Sequence, residues 1–176
     1  MSSFSAGWLT AVGTLSTASA GFIMSIKMDN KNLQKLSRFT LIIAIFADLL
    51  SAFTAGTTII FFLIRVIWGL AMGVAHASSV SSIAHYDNFK QGFGIYVGLQ
   101  FIVSGIGLYI IPVYADIIGV TGFFIGFAVL DFVALIFTKY LGSDYNEPVK
   151  TNKNNTSLGV MISVPAIMAI IGFTVF

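Results

Sequence analysis

The chain contains no cysteine, so neither a disulfide framework nor a thiolate metal site is open to it. It is also poor in charge. Only 9% of its 176 residues are Asp, Glu, Lys or Arg, against the roughly 25% that a soluble domain uses to solvate its surface. No cationic stretch precedes the first apolar run. Residues 2–7 are Ser-Ser-Phe-Ser-Ala-Gly, and the run after them is too long for a signal-peptide core, so no cleavable leader is read here. The formal net charge of +2 does not point to nucleic acid, because the cations cluster at the ends of apolar runs rather than on one face.

Apolar residues, in contrast, make up 57% of the chain and the mean hydropathy is +0.93. A helix needs about 20 mostly apolar residues to cross the hydrocarbon core of a bilayer. Six segments meet that need: 8–26, 39–55, 59–84, 93–115, 121–141 and 158–176. Helices are expected rather than barrel strands, because runs such as Ile59-Ile60-Phe61-Phe62-Leu63-Ile64 lack the alternation of period two. The fold class predicted is therefore all-α, a polytopic transmembrane bundle of about six spans.

The cations set a direction. Lys27, Lys31, Lys35 and Arg38 fill the first polar break, Lys90 the second, and Lys139, Lys150 and Lys153 the region at and beyond the end of the fifth run. The breaks near 56–58 and 115–121 hold none. Short cationic loops stay on the cytoplasmic side during insertion, so the pattern predicts a multi-pass cell-membrane protein with an external N-terminus and cytoplasmic basic loops.

Residues 1–141 are expected to supply five helices of an N-terminal bundle, 142–157 a cytoplasmic linker, and 158–176 the first helix of a second bundle. The linker is rich in turn formers and charge. Its overlapping acceptor patterns at Asn154 and Asn155 would be glycosylated only in a lumenal location, which the cations argue against. The last apolar run reaches Phe176 with no polar tail. The expectation is a fragment of a larger transporter, weighed against a complete six-span protein.

In lipid, helices associate through close packing, so small residues spaced four apart mark contact faces. Gly69, Gly73, Ala77 and Ser81 form such a stripe on the third span, and Gly13, Thr17 and Gly21 on the first. Gly122 and Gly126 lie on the fifth. Gly94, Gly98, Gly105, Gly107 and Pro112 lie on the fourth, where they also permit bending.

Ionisable groups inside a span cost about 2.5–3.5 kcal/mol each at its centre and so are candidates for function. Four qualify: Asp48, Arg65, His76 and Asp131. Arg65 and His76 are eleven residues apart, within about 20° of one helix face, and form a polar stripe suited to the border of a watery cavity. Against that stands the plain reading, in which Arg65 snorkels outward and His76 satisfies a neighbouring carbonyl. Asp48 and Arg65 lie at similar depth on antiparallel neighbours and are expected to pair. Asp131 has no partner legible from the sequence. Gln100 sits near mid-span on a stripe with Tyr96 and Ser104 and is a candidate solute contact. Packing alone is the competing account of each group. No enzyme signature is present: the two histidines lack metal-ligand spacing, and Gly92-Phe93-Gly94 is not followed by the Gly-Lys-Ser/Thr of a phosphate loop.

The stretch 62–124 resembles a transporter of the major facilitator superfamily. Arg65-Val-Ile-Trp-Gly69-Leu-Ala-Met-Gly73 is similar to that family's fourth helix, and Asn88-Phe-Lys90-Gln-Gly92-Phe-Gly94 to its short basic entry into the fifth. Ser104-Gly105-Ile-Gly107 followed by Pro112 resembles the fifth helix, and 119–124 the entry to the sixth. The resemblance implies that the six runs match the family's second to seventh helices, with the first missing. It also implies that Arg65 and His76, more than Asp48 and Asp131, border the cavity. The chain departs from the family where Ser25 stands four residues after Gly21 in place of Asp, and where Ile111 rather than Gly precedes Pro112.

These observations predict a secondary transporter of a small solute, or a fragment of one, working by alternating access with a proton as a candidate coupling ion. The competing class is a non-transporting integral membrane subunit or scaffold. The substrate or proton pathway is assigned to Arg65, His76, Gln100, Asp48 and Asp131, and helix packing to Gly69, Gly73, Gly105, Gly107 and Pro112. No cofactor, metal or nucleic acid is called for. The partners expected are the solute, membrane lipid and the missing helices. The 176 residues alone are expected not to transport.

Overall fold

The structure, a computed structural model, describes residues 3–28, 32–54, 58–84 and 89–141. Among them the chain is entirely helical, with no strand. The elements are α1 (Ser3–Lys27), α2 (Leu33–Thr54), α3 (Thr58–Ala84) and α4 (Phe89–Phe137), followed by a 3-10 turn at Thr138–Tyr140. Among the described residues, three segments are long and apolar enough to cross a membrane: Leu33–Thr54, Ile59–Ala84 and Ile117–Phe137. The chain is therefore a helical membrane protein. The expected run 158–176, the linker 142–157 and their acceptor sites lie outside the described residues.

Helix bounds depart from the hydropathy runs mostly at the polar ends. α2 begins at Leu33, six residues before its apolar run, because Asn32 caps it: the Lys35 backbone N–H donates to Asn32 Oδ1 at 2.8 Å. Gln34, Lys35 and Arg38 thus ride on an extra turn of helix. The break foreseen across 115–121 narrows to one residue. Helix runs to Ile118 and resumes after Gly119, whose φ of 63° and ψ of 177° lie in a region open almost only to glycine. The two halves of α4 face each other across a cavity of about 410 Å³, lined by Gly107, Ile110, Gly122, Phe123, Gly126 and Phe127 among others. That cavity is apolar throughout.

α3 is the hub of the bundle, packing along α1 on one side and α2 on the other, while α2 also packs along α4. The α1–α3 seam is the closest approach. A methyl group built on Gly69 would stand 2.6 Å from the Gly13 carbonyl oxygen and 2.9 Å from Ser16 Cβ. One built on Gly73 would run into the Thr17 carbonyl oxygen and lie 2.9 Å from Ala20 Cβ. Only glycine lets the two backbones meet so closely. The stripes on the first and third runs therefore face each other.

The outward faces are greasy, as lipid contact requires: Phe53 is 82% and Ile117 79% exposed. Hydroxyls within the helices bond back to their own backbone, as Thr17 does to the Gly13 carbonyl at 3.0 Å and Ser79 to that of Ala75 at 3.0 Å. Polar ties fasten α2 to α4 at both ends. Thr121 Oγ1 donates to the Ala52 carbonyl at 3.2 Å. At the other end Arg38 Nε donates to Thr138 Oγ1 at 3.1 Å and Gln34 Nε2 to the Thr138 carbonyl at 3.3 Å. Those latter ties bring the start of α2 beside the end of α4. With the alternating helix directions, Lys27, Lys35, Arg38, Lys90 and Lys139 all fall at one end of the bundle.

Candidate functional site

The described charges that do not lie at that basic end include Arg65 and Asp48, which meet between α2 and α3 against Phe124 of α4, and Asp131 on α4. Arg65 on α3 is 9% exposed, and Asp48 on α2 and Asp131 on α4 are wholly buried. Arg65 Nη2 donates to Asp48 Oδ1 at 2.5 Å and to Ser51 Oγ at 2.8 Å, and its Nε donates to Ser51 Oγ at 3.1 Å. Ser51 passes the chain on, donating to the Ala47 carbonyl at 2.7 Å. Trp68 Nε1 donates to the second carboxylate oxygen of Asp48 at 3.2 Å. The ion pair expected between the second and third runs is thus present, and it lies at the packing seam between helices.

Burying a charge costs several kcal/mol unless partners replace water, and the surroundings show how that cost is offset here. The guanidinium lies 4.6 Å from the Trp68 ring centroid, 4.7 Å from that of Phe124 and 5.9 Å from that of Phe61. Each ring face attracts a cation, by up to about 2 kcal/mol when desolvated. Phe124 in turn sits edge-on to Phe61 at 5.4 Å. Charge, hydrogen bonds and ring faces together enclose Arg65.

Asp131 is the third ionisable group of the described interior. It is wholly buried on the second half of α4, the limb whose Phe124 ring stands over the Arg65 guanidinium. Phe124 and Asp131 stand seven residues apart, two helical turns, so one face of α4 presents both toward α2 and α3.

The remaining assigned residues lie elsewhere. His76 is half-buried on α3, eleven residues or about 16 Å along the axis from Arg65. Its ring stands 6.3 Å from that of Tyr96 on the first half of α4. Gln100 is half-buried one turn beyond Tyr96, with half-buried Ser104 another turn on. Of the packing residues, Gly69 and Gly73 form the α1–α3 seam, Gly107 lines the apolar cavity, and Gly105 is exposed with open space beside it. The Pro112 side chain lies outside the described ones.

Ser51, Trp68, Phe61 and Phe124 were not singled out from the sequence. Three of them carried a local signal. Ser51 follows Asp48 by three residues, Trp68 follows Arg65 by three, and Phe61 precedes it by four, the spacings that share a helix face. Phe124 had none, since its place depends on how α4 docks. Among the described residues no group of three or more His, Cys, Asp or Glu side chains gathers to hold a metal. Comparison with protein-family models, curated proteins and solved structures finds no match.

Proposed function

We propose that this membrane protein takes part in moving a small solute across the membrane as a secondary transporter, with two helix groups rocking about a site near the bilayer midplane. The observation that carries the reading is the buried Arg65–Asp48 ion pair between α2 and α3, with a third ionisable group, Asp131, wholly buried on α4. Intramembrane ionisable groups are costly and are generally kept for a pathway or a coupling step. The resemblance to the major facilitator superfamily supports the same reading and supplies the expectation of alternating access. On this reading the basic end faces the cytoplasm, and His76, Tyr96, Gln100 and Ser104 lie on the side where the solute passes.

A second reading has an observation of its own. The Arg65 donors, both Asp48 oxygens and the Ser51 hydroxyl already face one another, an arrangement that also serves a rigid, non-transporting subunit. Flux separates the two. Membrane vesicles from cells that make the protein from its natural locus would be assayed with labelled sugars, amino acids and organic acids. The transporter reading expects uptake of at least one class above that of vesicles lacking the protein. It also expects Arg65→Gln and His76→Asn to insert at normal levels with at least tenfold lower uptake. Wild-type vesicles no more permeable than empty ones to every solute, or variants with undiminished uptake, would favour the scaffold.

A further inference from the structure

We propose that the place where α2 begins and α4 ends binds the phosphate of an anionic membrane lipid, with Arg38 and Lys139 as its cationic contacts. Two helices far apart in sequence meet there through the wholly buried Thr138. Its hydroxyl accepts from Arg38 Nε at 3.1 Å, and its carbonyl accepts from Gln34 Nε2 at 3.3 Å. The Nε bond fixes the plane of the guanidinium of an exposed residue, and among the described residues no other hydrogen bond engages it. Its Nη donors are left for a bidentate partner, the geometry in which arginine takes a phosphate. Lys139 follows Thr138 directly and is exposed, and Lys35 is exposed about one turn before Arg38.

Charge complementarity sets the sign of that partner. Lys27, Lys35, Arg38, Lys90 and Lys139 gather at this end, and among the described residues no acid joins them. The adjoining polar breaks add Lys31, Lys150 and Lys153 against Asp29, Asp87, Asp144 and Glu147, so eight cations stand against four acids.

A lipid fits better than a soluble anion, because each cation heads a stripe of exposed apolar side chains. On α2 the stripe beside Arg38 runs through Phe39, Ile42 and Phe46. On α4 it runs back from Lys139 through Ile136, Phe132 and Val129. These residues are three and four apart, the spacing of one helix face. A phosphate at the cations with acyl chains along the stripes satisfies both halves, and the stripes are continuous with the lipid-facing surface of the bundle. Basic pockets between membrane helices take anionic headgroups in this way, each surface cation contributing about fivefold in affinity. The site stands apart from the transport reading and from which leaflet meets the basic end.

The test is native mass spectrometry of the full chain in detergent micelles, titrated with phosphatidylglycerol, phosphatidylcholine or inorganic phosphate, with thermal unfolding as a second readout. Phosphatidylglycerol is expected to stay bound and to raise the thermal midpoint, while phosphatidylcholine and inorganic phosphate at the same concentration are not. Lys139→Gln is expected to weaken phosphatidylglycerol binding about fivefold, and Arg38→Gln combined with it about thirtyfold. Lys27→Gln removes the same charge from the same end but on α1, which packs on α3. At physiological salt, where screening acts within about 8 Å, it is expected to change binding by less than about twofold. Equal binding of the two lipids, or a full effect from inorganic phosphate alone, overturns the proposal. So does a loss from Lys27→Gln as large as that from Lys139→Gln. Should the double variant fail to fold, Lys139→Gln decides alone, and unchanged binding there overturns it.

Discussion

Replacing Gly73 by alanine adds one methyl group where two helix backbones touch. The new carbon would run into the Thr17 carbonyl oxygen and lie 2.9 Å from Ala20 Cβ and 3.0 Å from the Gly21 nitrogen. None of these is the end of a flexible side chain, so relief requires α1 and α3 to move apart. Overpacking of this kind typically costs about 1–3 kcal/mol. Parting also loosens the neighbouring contacts of Gly69 with Gly13 and Ser16. Against this stands the gain of about 1 kcal/mol in helix propensity that alanine brings over glycine, so a net loss of up to about 2 kcal/mol is expected. Gly13 is the internal control, on the same seam but with nothing within 4 Å of a built methyl. Gly13→Ala should be neutral or stabilising by up to about 1 kcal/mol. Reversible unfolding in mixed micelles, followed by circular dichroism with a distance probe between α1 and α3, measures both. Equal tolerance of the two substitutions would refute the close-contact account.

Two further outcomes follow from the same geometry. Asp48→Ala should destabilise the protein by about 3–5 kcal/mol because it strands the Arg65 charge, and adding Arg65→Met should recover much of that loss, as a double-mutant cycle of unfolding free energies would record. Gly119→Ala forces a side chain into a backbone region that costs about 1–3 kcal/mol. It should lower the thermal midpoint while Gly126→Ala, which meets open space, should not.

What could be read in advance depended on whether the information was local. Run length, apolar content and the absence of alternation pointed to helices where α1, α2, α3 and both halves of α4 are found. Depth along antiparallel neighbours was enough to pair Asp48 with Arg65, because a tight connection between consecutive spans leaves little freedom of register. The docking of α4 on α2 was not legible. It joins residues as far apart in sequence as Ala52 and Thr121, or Arg38 and Thr138. The break at Gly119 was read as seven residues wide, since polar composition marks where helix can end and not where it does. The extra turn at the start of α2 was missed for a related reason: hydropathy reports the hydrocarbon, whereas Asn32 sets the helix start outside it.

The single-residue joint at Gly119 leaves no slack between the limbs of α4. With no loop to absorb a twist, the azimuth of the second limb is inherited from the first, and so is the direction in which Asp131 and Phe124 point. A torsion applied anywhere along residues 89–118 is therefore delivered, through one pair of dihedral angles, to the buried acid on the far limb.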